Sequence, residues 1–165
     1  MREEGLEDAV IEYFTDLDYT YIEPEKMAPQ VDGSYRDSHQ EVVLSELLEE
    51  TLLEINNDVP QKVLDTARKK ILNPESPDYV VNNRNFQKII TDGLDIEYRT
   101  EDGRLDTEKI WLFDHQIPAN NSWVVTRQFA VSEHKNKRPD VVVFLNGLPL
   151  AVFELKDISN EKATI

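Results

Sequence analysis

The chain has 165 residues, no cysteine and a formal net charge of −15, with 39% hydrophobic and 31% charged residues. That fits a globular domain with a real core and excludes a disulfide framework, a thiolate metal site and a cysteine nucleophile. No apolar run approaches the roughly 20 residues of a membrane span, and the acidic start "MREEGLEDAV" lacks a signal-peptide layout, so a soluble cytoplasmic protein is expected.

The first segment reads as a helix, with Leu6, Val10, Ile11, Phe14 and Leu17 at helical spacing. Glu7 stands three, four and seven residues before Val10, Ile11 and Phe14, so it shares their apolar face. An acid there is either a surface group complementing the helix dipole or an inward carboxylate that needs a partner or a metal. "YTYIEP" offers one short strand, followed by loop. Asp37 or Ser38 can cap a helix running to about Ile55 through a leucine-rich stripe, read as core rather than a dimer seam. Pro60 suits the first turn of the next helix, whose last turn is basic, and "NNRNFQKIITDG" gives a short helix stopped by Gly93.

The period then changes. "LDIEYRT", "KIWLFDHQI", "NSWVVTRQFAVSE", "PDVVVFLNG" and "PLAVFELK" are strand candidates, with "TEDGRLD" as a hairpin turn. The order is α+β: one domain over 1–165, with a helical block at about 37–93 and a β core at about 94–157. Trp111 and Trp123 sit in strand patterns and read as core.

Charge is unevenly spread. Up to Pro118 there are 28 acids against 12 Lys or Arg, and from Ala119 on there are 5 against 6. Within that tail "HKNKR", His134 to Arg138, is locally basic. It is either a solvated loop or the part that meets nucleic acid, with Lys135, Lys137 and Arg138 as phosphate contacts. The three histidines, His39, His115 and His134, are scattered and suggest neither a metal site nor a triad.

The most informative stretch is "RPDVVVFLNGLPLAVFELK", Arg138 to Lys156: two apolar runs around Asn146-Gly147 with Asp140, Glu154 and Lys156 at the outer ends. In a strand Glu154 and Lys156 share a face. Whether Asp140 joins them depends on parity. A plain two-residue turn pairs 145 with 148 and 140 with 153, whereas a three-residue loop or a bulge sets 140 opposite 154. A loop or bulge of that kind is expected. Opposed carboxylates destabilise a sheet unless a hard cation such as Mg²⁺ sits between them. Asp140 and Glu154 would then be metal ligands, with the Leu155 carbonyl as a further oxygen and Glu7 acting through a water. Lys156 would orient or deprotonate a water, or offset transition-state charge. The plainer alternative is that strands end in charge where they reach solvent.

Taken together, Arg138-Pro139-Asp140, Asn146-Gly147-Leu148-Pro149 and Glu154-Leu155-Lys156 resemble the nuclease signature of the PD-(D/E)xK superfamily. More narrowly, they resemble the N-terminal nuclease domain of the motor (restriction, R) subunit of type I restriction-modification enzymes. "NSWVVTRQFAV" and an acid-bearing first helix, with Glu7, extend the likeness. The resemblance implies an α/β restriction-endonuclease-like core, a central mixed β-sheet flanked by helices with a helical insertion. It also implies Mg²⁺ on Asp140 and Glu154, Lys156 as catalytic, non-specific cleavage of double-stranded DNA, and modification and specificity subunits as partners. The family's Gln-x-x-x-Tyr element and its ATP-driven motor do not occur in the chain. A C-terminally truncated fragment is therefore expected, binding no ATP and cutting DNA weakly or not at all alone. Two other functions stay open: a non-catalytic subunit-docking module, and a nuclease of the same superfamily working in DNA repair.

Overall fold

A computed structural model describes residues 3–74, 76–132 and 135–156, without the side chains of residues 3 and 4. The chain forms two compact units, one of residues 1–47 with 122–165 and the other of 48–121. Among the described residues no helix is long and apolar enough to cross a membrane.

The first unit is built on a four-stranded mixed sheet. Helix α1 (Glu3–Asp16) leads to β1 (Thr20–Tyr21), which runs parallel to β4 (Trp123–Arg127); β7 (Val141–Leu145) and β8 (Leu148–Phe153) follow antiparallel, in the order β1-β4-β7-β8. A two-stranded ribbon of β5 (Val131–Ser132) and β6 (Asn136–Lys137) lies between them in sequence. Every residue of β7 is buried, because the sheet carries a core on each face. On one face Val10, Ile11 and Phe14 of α1 pack with Val125, Val141, Val143, Phe153 and Leu155. Leu17, beyond the helix end, is exposed. On the other face Ile22, Met27 and Leu44 pack with Val124, Phe129, Val142 and Phe144. Fully burying a side chain such as Phe144 stabilises by about 1.5–3 kcal/mol.

The helix expected from Asp37 or Ser38 begins later, as α2 (Ser45–Ile55). Residues 36–44 instead form a strap across the second core. Buried Arg36 donates to the carbonyls of Met27 (2.6 Å), Glu41 (3.1 Å) and Ala130 (2.5 Å), with its guanidinium 3.9 Å above the Phe129 ring. The Leu44 N–H donates to the Gly147 carbonyl at 2.8 Å. The His39 carbonyl and the Leu44 N–H are thus spent on distant partners, Ser132 and Gly147, and the Glu41 carbonyl on Arg36 within the strap.

The second unit holds α3 (Gln61–Leu72), α4 (Tyr79–Asp92) and an antiparallel hairpin of β2 (Leu94–Arg99) and β3 (Leu105–Ile110). Pro60 begins α3, and Lys69 and Lys70 stand in its last turn. Asp78 caps α4 by accepting from the N–H groups of Val80 and Val81. Gly93 ends it at φ 77°, where a Cβ would come within 3.0 Å of Lys109 Cγ. The hairpin is a sheet of its own, separate from the four-stranded one. Its strand expected over "KIWLFDHQI" stops at Ile110. Asn56 then takes both backbone groups of Trp111, and the Asp114 carboxylate bends the chain by accepting from the N–H groups of Gln116 and Ile117. Trp111 is accordingly 37% exposed rather than core, whereas Trp123 is half-buried against Tyr19.

Candidate active site

Asn146 and Gly147 both have positive φ, 51° and 79°, the signature of a tight two-residue turn with Leu145 opposite Leu148. Asn146 is fully buried: its N–H donates to the Ser122 carbonyl at 2.9 Å, and its Oδ1 accepts from the Ser122 N–H at 2.7 Å. The parity problem of such a turn is resolved one residue later. Phe144 pairs with Pro149 but Val143 pairs with Ala151, so Leu150 is the extra residue of a β-bulge. Pro149 lacks an N–H and is tolerated on the edge strand. From the bulge onward Val142 faces Val152 and Val141 faces Phe153, the last pair, and the same register continued one residue would set Asp140 opposite Glu154.

Strand β8 ends at Phe153 rather than continuing through Lys156. There the backbone ladder gives way to a side chain: the Leu155 N–H donates to Asp140 Oδ2 at 2.6 Å. The carbonyl of Asp140 accepts from the Gln128 N–H at 2.9 Å. Alternation persists past the strand end, because Leu155 is half-buried in the core beneath α1 while Glu154 and Lys156 are exposed. Asp140 itself is half-buried.

Glu7 faces inward, only 8% exposed. Gln128 Nε2 donates to its Oε1 at 2.6 Å. Burial pushes the Glu7 carboxyl above the ordinary glutamate range; the Gln128 hydrogen bond opposes that rise and the nearby charge of Asp140 adds to it. One residue further along α1, Asp8 accepts from Arg127 Nη1 at 2.6 Å. The charge of Asp140, on a separate element, is thus felt at Glu7. Among the described residues no group of three or more His, Asp or Glu is gathered closely enough to hold a metal on its own.

Lys135, Lys137 and Arg138 are exposed around the β5–β6 ribbon, which is tied down by the Ser132 N–H donating to the His39 carbonyl at 2.9 Å. His134, of the same basic cluster, lies outside the described residues, as does the chain beyond Lys156. Gln128 and Arg36 carried no sequence signal. Gln128 reads as one more residue of a continuous strand, and Arg36 as one more charge in a loop.

The first unit is thus a mixed α/β fold in which a bulged hairpin carries Asp140 just before one strand and Glu154 just after the other, with Lys156 two residues beyond. The chain belongs to the family of the type I restriction enzyme R protein N terminus (HSDR_N), whose model matches residues 1–165. It is 31% identical over 168 residues to the type I restriction enzyme HindI endonuclease subunit of Haemophilus influenzae, covering 100% of this chain and 16% of that protein. It is 27% identical over 155 residues to a Methanocaldococcus jannaschii protein named "Putative type I restriction enzyme MjaIXP endonuclease subunit", covering 92% of this chain and 15% of that one. The chain thus spans less than a fifth of the length of these relatives.

Proposed function

We propose that this chain is the Mg²⁺-dependent endonuclease domain of a type I restriction enzyme R subunit, with a PD-(D/E)xK core that hydrolyses DNA phosphodiester bonds. The observation that carries the reading is the Leu150 bulge, which shifts a two-residue hairpin into the parity that the apposition of Asp140 and Glu154 requires. Without a cation that apposition is unfavourable. The donor set fits Mg²⁺, which takes one or two carboxylates and completes its shell with waters and phosphate oxygens. Asp140 and Glu154 would hold the ion, with the Leu155 carbonyl as a further oxygen. When bound, it supplies charge neutralisation at the phosphate and acidifies a coordinated water.

The protein's own groups do the rest. The Leu155 N–H fixes one oxygen of Asp140 and so orients the carboxylate. Glu7 adds a negative group near Asp140 that acts through a water. Lys156, exposed beside the acids in sequence, orients the attacking water or offsets negative charge as it develops on the phosphate. Lys135, Lys137 and Arg138 contact the backbone of double-stranded DNA without reading sequence. The modification and specificity subunits are the expected protein partners, and ATP is used by a motor outside these 165 residues. The family match supports restriction over DNA repair. One observation favours the other reading, a non-catalytic docking module: the surplus of 28 acids over 12 Lys or Arg up to Pro118 suits a basic protein partner better than DNA.

The test is plasmid nicking by the full-length subunit with Mg²⁺, comparing the native chain with Lys156→Ala. Nicking should fall at least about a hundredfold, the usual worth of a positioned proton-transfer group. Undiminished nicking in the variant would remove the assignment.

A further inference from the structure

Consecutive residues at the end of β4 reach consecutive residues of α1: Arg127 bonds to Asp8, and Gln128 bonds to Glu7. In a regular strand that cannot happen, because neighbouring side chains leave on opposite faces. Gln128 manages it with a φ of 53°, in the left-handed region that non-glycine residues rarely adopt. Its N–H still extends the β4–β7 ladder by one bond, to the Asp140 carbonyl. One residue therefore grips Asp140 by its main chain and Glu7 by its side chain.

We propose that Gln128 is a positioning residue for the acidic site, holding the Glu7 carboxylate at a fixed place relative to Asp140. This rests on the nuclease reading above. An amide suits the task for a chemical reason. It donates to Glu7 without bringing a positive charge, whereas a lysine or arginine at 128 would act as a built-in counter-ion and compete with a divalent cation for the acids. The left-handed backbone is the structural cost of aiming that amide at α1.

The test uses the full-length subunit with Gln128→Gly, Gln128→Lys, Glu7→Gln and Lys156→Ala. Glycine removes the amide but relieves the left-handed backbone, so thermal stability should hold while function falls. Lowered affinity for Mn²⁺, read by electron paramagnetic resonance, and a higher half-saturating Mg²⁺ in plasmid cleavage are expected, each about tenfold or more, as for other groups that orient metal ligands. Gln128→Lys should lose Mn²⁺ binding at least as severely. Adding Gln128→Gly to Glu7→Gln should cost little more than Glu7→Gln alone, because the amide acts through that carboxylate. Wild-type Mn²⁺ affinity in Gln128→Gly, or full multiplicative loss in the double variant, would overturn the proposal. With Lys156→Ala inactive, that result removes the role of Gln128 alone; with Lys156→Ala fully active, the nuclease reading itself falls.

Discussion

Replacing Glu7 by glutamine should separate stability from function. Glu7 is 8% exposed, accepts one hydrogen bond from Gln128, and lies in the field of Asp140. Its carboxyl is raised above 4.5 in the folded chain, so folding favours the protonated form. That stabilisation is fully present below the unfolded value and is lost as pH rises through the higher folded value, above which a buried anion is left. Glutamine keeps the acceptor oxygen for Gln128 and removes the charge. The desolvation that the charge costs is partly offset by its charge-assisted hydrogen bond, so the net gain at pH 8 is about 1 kcal/mol, within the range for a buried polar group. For a chain of this size that raises Tm by about 2–4 °C. The assay is thermal unfolding of wild type and Glu7→Gln from pH 4 to pH 8, beside DNA cleavage by the full-length subunit. The Tm advantage should grow with pH and shrink toward pH 4, while cleavage drops. A variant less stable at pH 8, or a difference independent of pH, would refute the account of Glu7 as an inward-facing, electrostatically unfavourable carboxylate.

Two further outcomes are expected. Asn146→Ala removes the acceptor for the Ser122 N–H and leaves a φ of 51° to a residue that resists it, a loss of about 2–4 kcal/mol in urea unfolding; Asn146→Gly, which tolerates the backbone, should lose about half of that, and equal losses would refute the partition. Neutralising Lys135, Lys137 and Arg138 together should weaken DNA binding and flatten its dependence on salt, the logarithmic slope falling by about 0.9 for each phosphate that the variant no longer neutralises. An unchanged slope in fluorescence anisotropy would place the DNA interface elsewhere.

Local chemistry was legible where one residue type decides the backbone. Asn146-Gly147 marks its turn, Gly93 stops its helix, and the run Val141–Leu145 is hydrophobic throughout because both its faces are covered. Glu7 could be read as inward-facing from its spacing to Val10, Ile11 and Phe14 alone. The bulge followed from parity: Asp140 and Glu154 can meet across a two-residue turn only if one residue is skipped. What escaped the sequence depends on distant partners. No local pattern tells residues 37–44 that Ser132 and Gly147 will claim their backbone, and the helix is delayed to Ser45. "LDIEYRT" and "KIWLFDHQI" read as strands of one β core, yet β2 and β3 pair only with each other, and β3 starts at Leu105, inside the expected turn. Gln128 looked like an interior strand residue because its left-handed turn is set by what it bonds to, not by what it is.

The guanidinium of Arg36 has a consequence for how the domain responds to acid. Its three acceptors are main-chain carbonyls, on Met27, Glu41 and Ala130, although the same guanidinium lies 3.4 Å from His39 Nδ1. The opposite face of the same sheet is braced by carboxylates, with Asp8 on Arg127, Glu7 on Gln128 and Asp140 on the Leu155 N–H. Burial favours the protonated form of Glu7, so acid relieves a charge between α1 and β4 rather than freeing the helix.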